Sequence, residues 1–229
     1  PEGLSSPVIF GQKIFLTGIR KDRLITLCFD TENGNILWER IAPKMPIEKV
    51  HATSSPAAST PFVDSKQVYV YFGSYGLLCY DHNGQKQWEV PIPTPKSLYG
   101  MSTSPIGYKQ TIILVIDNDS NLPGSRLSQS KIIAFNKDNG QSKWSVSRPH
   151  HRSGWSTPTI WHKEKNDELI VLGNERVRSY NPDTGTEKWF VGGFSRETIA
   201  VPVVGKEHVY ISSAQLGGGA DKKIDPEPF

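Results

Sequence analysis

Short apolar runs separated by polar turns dominate the hydrophobic pattern of this chain. The runs fall at residues 14–16, 68–71, 112–116, 169–172 and 209–211. Runs of this length, bounded by turn residues, are typical of β-strands, and no helical period persists long enough to predict more than a single turn. The pattern therefore predicts an all-β protein.

A Ser-Pro or Thr-Pro pair precedes each of the first four runs. The pairs are Ser6-Pro7, Thr60-Pro61, Ser104-Pro105 and Thr157-Pro158, and a fifth, weaker copy is Val201-Pro202. Proline cannot donate to the hydrogen-bond ladder of a sheet, so it belongs on an edge strand or at a strand start. We expect each Pro-marked strand to be the innermost strand of its unit, with its free edge facing a central channel.

A hairpin with a glycine and a tryptophan follows the apolar run and occurs four times. The glycine and tryptophan are always four residues apart, at Gly34 and Trp38, Gly84 and Trp88, Gly140 and Trp144, and Gly185 and Trp189. An Asp or Asn opens each turn by accepting backbone N–H bonds, and the glycine supplies the positive φ of a tight hairpin. A lone hairpin is marginal in water, so we expect these tryptophans to be structural and to pack between neighbouring units.

Each unit thus contains four strands: one Pro-marked, one apolar, and two from the hairpin. The units span approximately residues 6–40, 59–90, 104–146, 156–191 and 200–216, and the last is incomplete. Four-stranded units that recur every roughly 40 to 50 residues are the signature of a β-propeller. The sequence therefore predicts one propeller domain over residues 1–229, with four antiparallel four-stranded blades and the start of a fifth.

The hairpin resembles the tryptophan-docking repeat of the quinoprotein-type propellers, Ala-x-Asp-x-x-Thr-Gly-x-x-x-Trp. Residues 134–144 and 179–189 keep its full spacing, whereas the copy from Asp81 to Gly84 is one residue short. The family's Ala is replaced by small residues, Cys28, Cys79 and Ser179. This PQQ-like family (PQQ is pyrroloquinoline quinone) includes PQQ dehydrogenases, secreted bacterial repeat proteins, and the non-catalytic propeller of the outer-membrane assembly lipoprotein.

The resemblance implies a periplasmic or secreted protein. Because the family's propellers usually have more blades than the four counted here, we expect this chain to be part of a larger one. The formal net charge of +3 is spread along the 229 residues without a Lys/Arg run, which argues against nucleic-acid binding. No apolar stretch approaches the length of a membrane span.

The cysteines occupy the same repeat position in successive units. Equivalent atoms in adjacent blades should lie beyond the ~7 Å Cα separation that a disulfide tolerates. We therefore expect Cys28 and Cys79 to be free, buried and structural.

By resemblance, the alcohol-oxidising PQQ dehydrogenases need a disulfide between adjacent cysteines and Glu, Asn and Asp ligands for Ca²⁺. This chain has no adjacent cysteines, and its matching loops carry no such trio. No cofactor and no metal site are therefore expected. The run from Asp117 to Asn121 begins like a calcium loop, but Leu122 and Ser128 stand where an EF-hand needs Gly and Glu. A polar hairpin insertion is the preferred interpretation.

The connectors from each hairpin to the next Pro-marked strand carry the candidate ligand-binding residues. These are His51, Tyr99, His150, His151, Arg152, Trp155 and Arg196. Every connector leaves an outer strand and returns to an innermost one, so these residues should share a concavity at one channel mouth. The arginines and histidines would offer donors to a polar or anionic ligand. Two adjacent histidines rarely hold a metal without a third ligand, which favours a solvated polar rim over a metal site.

We therefore predict a non-catalytic binding or scaffolding module whose partner is a protein or a small polar or carbohydrate ligand. The main alternative is a PQQ-dependent alcohol or sugar dehydrogenase that uses PQQ and calcium and has part of its active site outside this chain. A third hypothesis is a carbohydrate-binding or carbohydrate-processing domain that uses Tyr99 and Trp155.

Overall fold

The chain folds almost entirely into β-strands joined by turns and longer connectors. The computed structural model describes residues 1–119, 127–149, 154–173, 175–195 and 198–213. Within these ranges the only helix is a 3₁₀ turn at Leu127–Gln129. The all-β prediction is confirmed.

Sixteen of the strands form four antiparallel sheets, in each of which the spatial order of the strands follows the chain. The first sheet contains β1 Val8–Phe10, β2 Lys13–Arg20, β3 Arg23–Asp30 and β4 Ile36–Ile41. The second contains β5 Phe62–Val63, β6 Gln67–Phe72, β7 Gly76–Asp81 and β8 Lys86–Pro91. The third contains β9 Ile106–Tyr108, β10 Thr111–Ile116, β11 Lys131–Asn136 and β12 Ser142–Ser147. The fourth contains β13 Thr159–Trp161, β14 Glu168–Gly173, β15 Arg176–Tyr180 and β16 Glu187–Gly192.

A final pair of strands, β17 Val203–Val204 and β18 Val209–Tyr210, begins a fifth unit. Four four-stranded meanders followed by this pair are the blades of a β-propeller, as the repeats predicted. The hydrophobic cores lie between consecutive sheets. One joins Phe15 of β2 to Val68 of β6, the next joins Tyr69 to Ile112, and a third joins Ile113 to Leu169.

The Pro-marked strands β1, β5, β9 and β13 each occupy one edge of their sheet. The hydroxyl residues before the prolines hydrogen-bond from one sheet to the next. The backbone N–H of Ser6 donates to Thr60 Oγ1 at 3.0 Å, that of Thr60 to Ser104 Oγ at 2.9 Å, and that of Ser104 to Thr157 Oγ1 at 3.1 Å. The Pro-marked edges of consecutive blades therefore lie side by side.

A second row of hydroxyls lies one residue earlier in the chain and is buried. Ser59 Oγ donates to the carbonyl of Thr103 at 2.7 Å, Thr103 Oγ1 to that of Ser156 at 3.4 Å, and Ser156 Oγ to that of Ala200 at 2.9 Å. Buried hydroxyls need such partners to offset their lost hydration. The sequence did not indicate this role, because no motif marks these three positions.

The outer hairpins share one local geometry. In each of them a small residue pairs with the tryptophan, and the strand register shifts directly after that residue. In the first hairpin, for example, Cys28 pairs with Trp38 and the shift falls between Cys28 and Phe29. A small residue is required there because the indole covers it. The glycine of each hairpin has a φ between 70° and 79°, the left-handed conformation that glycine adopts without strain.

Three of the four hairpin tryptophans pack on the next blade. The Nε1 of Trp38 donates to the carbonyl of His82 at 3.0 Å, that of Trp88 to Lys137 at 2.7 Å, and that of Trp144 to Pro182 at 3.2 Å. Trp189 differs, because its Nε1 donates to the carboxylate of Glu168 within its own blade at 2.8 Å.

The polar run from Asp117 lies in the connection between β10 and β11, but its first three residues are buried. Asn118 Oδ1 accepts the backbone N–H of Lys96 at 2.8 Å, and Asp119 Oδ2 accepts that of Leu98 at 3.0 Å. Asp117 forms a buried ion pair with Arg148 at 3.0 Å. Asn118 and Asp119 therefore hold the connector that leads to the third blade, and Asp117 pairs with the connector that leads to the fourth. The sequence did not indicate either role.

Candidate functional site

A cavity of about 300 Å³ lies where the connectors between blades meet. Its lining residues are Thr53, Ser54, Tyr99, Ser102, Trp155 and Ile199. They come from all four connectors, which occupy the stretches between β4 and β5, β8 and β9, β12 and β13, and β16 and β17. Residues up to 146 positions apart, from Thr53 to Ile199, therefore share one concavity.

Three aromatic rings form a row, and two of them, Tyr99 and Trp155, line this cavity. The ring centroids of His51 and Tyr99 are 5.0 Å apart, and those of Tyr99 and Trp155 are 5.2 Å apart with their planes at 90°. Edge-to-face pairs at this separation are favourable by about 0.5–1.5 kcal/mol beyond their burial. Tyr99 and Trp155 thus make a right-angled corner that is open to the cavity.

Hydrogen bonds to the connector backbone fix the two ends of the row. Trp155 Nε1 donates to the carbonyl of Gly100 at 3.1 Å, and the backbone N–H of Trp155 donates to Thr198 at 3.1 Å. At the other end, His51 Nδ1 lies 2.9 Å from Thr53 Oγ1 and accepts the backbone N–H of Thr53 at 3.3 Å. The rings are therefore positioned before any ligand binds.

The structure brings together three of the seven predicted site residues, His51, Tyr99 and Trp155. The other four, His150, His151, Arg152 and Arg196, lie outside the described residues. The hydroxyls of Thr53, Ser54 and Ser102 and the side chain of Ile199 were missed. No motif marks them, and only their position in the connectors could have indicated them.

Glu48 lies close to the aromatic row and belongs to the same connector as His51. Its backbone N–H donates to Ser74 Oγ at 3.0 Å, and its carboxyl lies between Gly73 and Gly100. Glycine is needed at residue 73, because a Cβ there would collide with Oε1, whereas a Cβ on Gly100 would lie at an ordinary contact distance of 3.8 Å from Oε2. The carboxyl therefore occupies a space left by Gly73 of the second blade and borders Gly100 of the connector that follows.

The surroundings of Glu48 favour the neutral acid. Burial raises the pKa of its carboxyl to about 7, and the Ser74 hydroxyl and the backbone N–H of Met101 lower it to a smaller extent. Glu48 Oε1 and the hydroxyl of Tyr71 are both buried and have no hydrogen-bond partner within the described ranges. Burial, and after it the Glu48 carboxylate, raises the pKa of Tyr71.

Two other cavities are larger but less suited to a ligand. One of about 410 Å³ between the second and third blades is lined mainly by Ser, Thr and Asn side chains and offers no aromatic face. The other, of about 500 Å³ beside the fourth blade, contains Lys163 and Lys188, which already pair with Glu168 at 3.1 and 2.9 Å. Of these three cavities, as the described residues line them, only the one at the connectors combines a fixed aromatic corner with hydroxyls.

In the part of the chain that the structure describes, no three His, Cys, Asp or Glu side chains cluster as metal ligands. Cys28 and Cys79 are both free and buried, as predicted. Within the described residues, no helix is long and apolar enough to cross a membrane.

Four four-stranded meander blades whose connectors share one cavity define a β-propeller built from repeated units. Residues 2–106 match the family model described as outer membrane protein assembly factor BamB, one of the PQQ-like repeat models. The resemblance to the PQQ-like repeat family is therefore confirmed over these residues. No curated protein matches the chain significantly.

Solved structures share the fold. BamB from Moraxella catarrhalis superposes with a TM-score of 0.60 at 15% identity, over 92% of this chain and 55% of that one. Quinohemoprotein alcohol dehydrogenase from Comamonas testosteroni gives 0.60 at 13% identity, over 88% and 37%. A europium-containing methanol dehydrogenase gives 0.57 at 10%, over 83% and 42%. The chain thus spans between 37% and 55% of the length of these proteins.

Proposed function

We propose that this propeller is a non-catalytic binding module whose ligand occupies the cavity at the connectors. One observation carries the proposal: four successive connectors contribute to one cavity, in which Tyr99 and Trp155 stand at 90°. Ligand sites combine apolar and aromatic walls with a few placed polar groups, and about 300 Å³ is the lower end of their usual size.

The chemistry of the lining favours an uncharged, hydroxyl-rich ligand. Among the described lining residues none is charged, and four carry hydroxyls: Thr53, Ser54, Tyr99 and Ser102. The apolar face of a sugar ring can pack on Tyr99 or Trp155 while its hydroxyls bond to these side chains. A carbohydrate therefore fits this part of the rim better than the anionic ligand expected from the arginines and histidines.

Calorimetric titration with cellobiose and maltose tests the proposal. We expect one of these disaccharides to bind, and Trp155→Ala and Tyr99→Ala each to weaken binding more than about tenfold, because each removes one wall of the corner. Tyr210→Ala is the matched control, since Tyr210 is an exposed aromatic residue on β18. Failure of both sugars to bind would contradict the carbohydrate assignment, and an unchanged affinity of Trp155→Ala would contradict the site.

A PQQ-dependent dehydrogenase is the second candidate, favoured only by the similarity of fold to two dehydrogenases. PQQ is a polyanion that binds with a cation, and the lining described above offers neither carboxylate nor guanidinium to hold the pair. We expect no dye-linked oxidation of alcohols or sugars after addition of PQQ and Ca²⁺. Turnover that disappears on chelation would favour the dehydrogenase.

We further propose a periplasmic or secreted location and, for the propeller as a whole, a scaffolding role toward protein partners. The description of the matching family model as an assembly factor supports both proposals. Co-purification from a periplasmic extract, compared with a cytosolic extract, would test them.

A further inference from the structure

The Glu48 carboxyl lies between two of the three connectors that supply the aromatic row. Glu48 precedes His51 by three residues in the first connector, and its Oε2 faces Gly100 in the second. Gly100 is also the residue whose carbonyl accepts the indole N–H of Trp155 at 3.1 Å. One side chain is therefore adjacent to the backbone that positions His51, Tyr99 and Trp155.

We propose that Glu48 is a positioning residue: its neutral carboxyl holds the first and second connectors together beneath the cavity, and its ionisation loosens them and weakens ligand binding. The inference rests on the proposed function, since it regulates that same site.

The groups around the carboxyl explain why ionisation should matter. The second blade contributes the hydroxyls of Tyr71 and Ser74, and the second connector contributes the backbone N–H of Met101. None of these groups is a cation. Met101 and Ser74 are themselves buried, at 2% and 0% exposure. These described groups would leave a carboxylate in this space without a counter-charge, and burying an unpaired charge is costly.

The space around the carboxyl also explains how the change would reach the cavity. Gly73 leaves the room for it, because a Cβ there would collide with Oε1 and would lie 2.8 Å from the Met101 side chain. A carboxylate that moves toward water must therefore leave the gap between the second blade and Gly100. Gly100 adjoins Tyr99, so this movement would alter the aromatic corner.

The first test needs no ligand. The indole N–H signal of Trp155, assigned by Trp155→Phe, is followed by NMR from pH 5.5 to 8.5. We expect it to shift with a midpoint near the pKa of about 7 in the wild type. The shift should be absent in Glu48→Gln, which mimics the neutral acid, and retained in Glu32→Gln, which alters an exposed carboxyl of the first hairpin. An identical titration in Glu48→Gln, or no titration in the wild type, would overturn the proposal.

The second test measures affinity at pH 6 and pH 8 for both cellobiose and maltose, and follows whichever of them binds. We expect the wild type to lose about tenfold in affinity at the higher pH, a typical coupling between two sites, and Glu48→Gln to lose less than about twofold. A pH-dependent Trp155 signal without sugar binding at either pH would leave Glu48 as the positioning group but refute the carbohydrate site. If Glu48→Gln does not fold, ¹³C NMR of the wild-type carboxyl decides, and a midpoint near 4.5 would refute the proposal.

Discussion

Trp38 packs directly on Gly84 of the following blade, so closely that a Cβ at residue 84 would lie 2.7 Å from the indole atom Cδ2. A Cβ added at Gly140 would likewise lie 2.7 Å from Cε3 of Trp88, and one added at Gly185 would lie 2.7 Å from Cε3 of Trp144. These glycines therefore serve two purposes, the hairpin turn and the contact between blades.

Gly34 forms the turn without the contact between blades, because its φ is 70° but no atom lies within 4 Å of an added Cβ. We expect Gly34→Ala to cost about 1–2 kcal/mol, the penalty of the left-handed conformation. Gly140→Ala, at a φ of 71°, should cost about 1–3 kcal/mol more, because its methyl group overlaps Trp88. Urea unfolding of both variants measures the difference. Equal losses would mean that the contact between blades contributes nothing.

The Ser/Thr–Pro row allows a similar comparison. Ser104 Oγ accepts the backbone N–H of Thr60 from the preceding blade at 2.9 Å. Ser104→Ala should leave that N–H without its partner and destabilise the protein by about 1–3 kcal/mol. Ser6→Ala is the matched control, since Ser6 is exposed and takes part only through its backbone N–H. A stability loss in Ser6→Ala as large as that in Ser104→Ala would contradict this account.

Acid should weaken the fourth blade through Glu168. Burial raises the pKa of this carboxyl, but Ser179, Lys188, Trp189 and Lys163 donate to it and together lower the pKa to about 2, from 4.5. A lowered pKa contributes stability that is present above pH 4.5 and is lost as the pH falls toward 2. We expect a contribution of about 1–2 kcal/mol, reduced by the solvent exposure of the lysines.

The measurement is the free energy of unfolding of the wild type and Glu168→Gln between pH 7 and pH 2.5. The wild type should be the more stable at pH 7, and the difference should shrink below pH 4.5. Parallel curves over the whole range would show that the carboxylate contributes no charge-dependent stability.

The cysteines should be unreactive in the folded protein. Burial raises the pKa of Cys28 to about 11, and it also raises that of Cys79. Because the thiolate is the reactive form, we expect no reaction with Ellman's reagent at pH 8 within minutes. After unfolding without reductant, two thiols per chain should react. Rapid labelling of the native protein would contradict the packing of Cys28 and Cys79 beneath Trp38 and Trp88.

The blades and their four strands could be predicted from local sequence patterns alone. Asp30, Gly34 and Trp38 lie within nine residues, and the turn they form depends on local conformation and on short-range hydrogen bonds. Proline at strand starts marked the edge strands for an equally local reason, the missing N–H. Copies of this pattern at a regular period were sufficient to predict the propeller, because each unit repeats the same local rules.

Tertiary structure decided the contacts that join the blades. Ser6 and Thr60 are 54 residues apart, and Tyr99 and Trp155 are 56 apart, so no local rule could pair them. The sequence placed His51, Tyr99 and Trp155 on connectors that should converge, but not the right angle of their rings. Nor did it indicate Glu48, whose carboxyl occupies the space left by Gly73. Contacts between blades depend on how neighbouring surfaces fit together, and the fold alone brings those surfaces into contact.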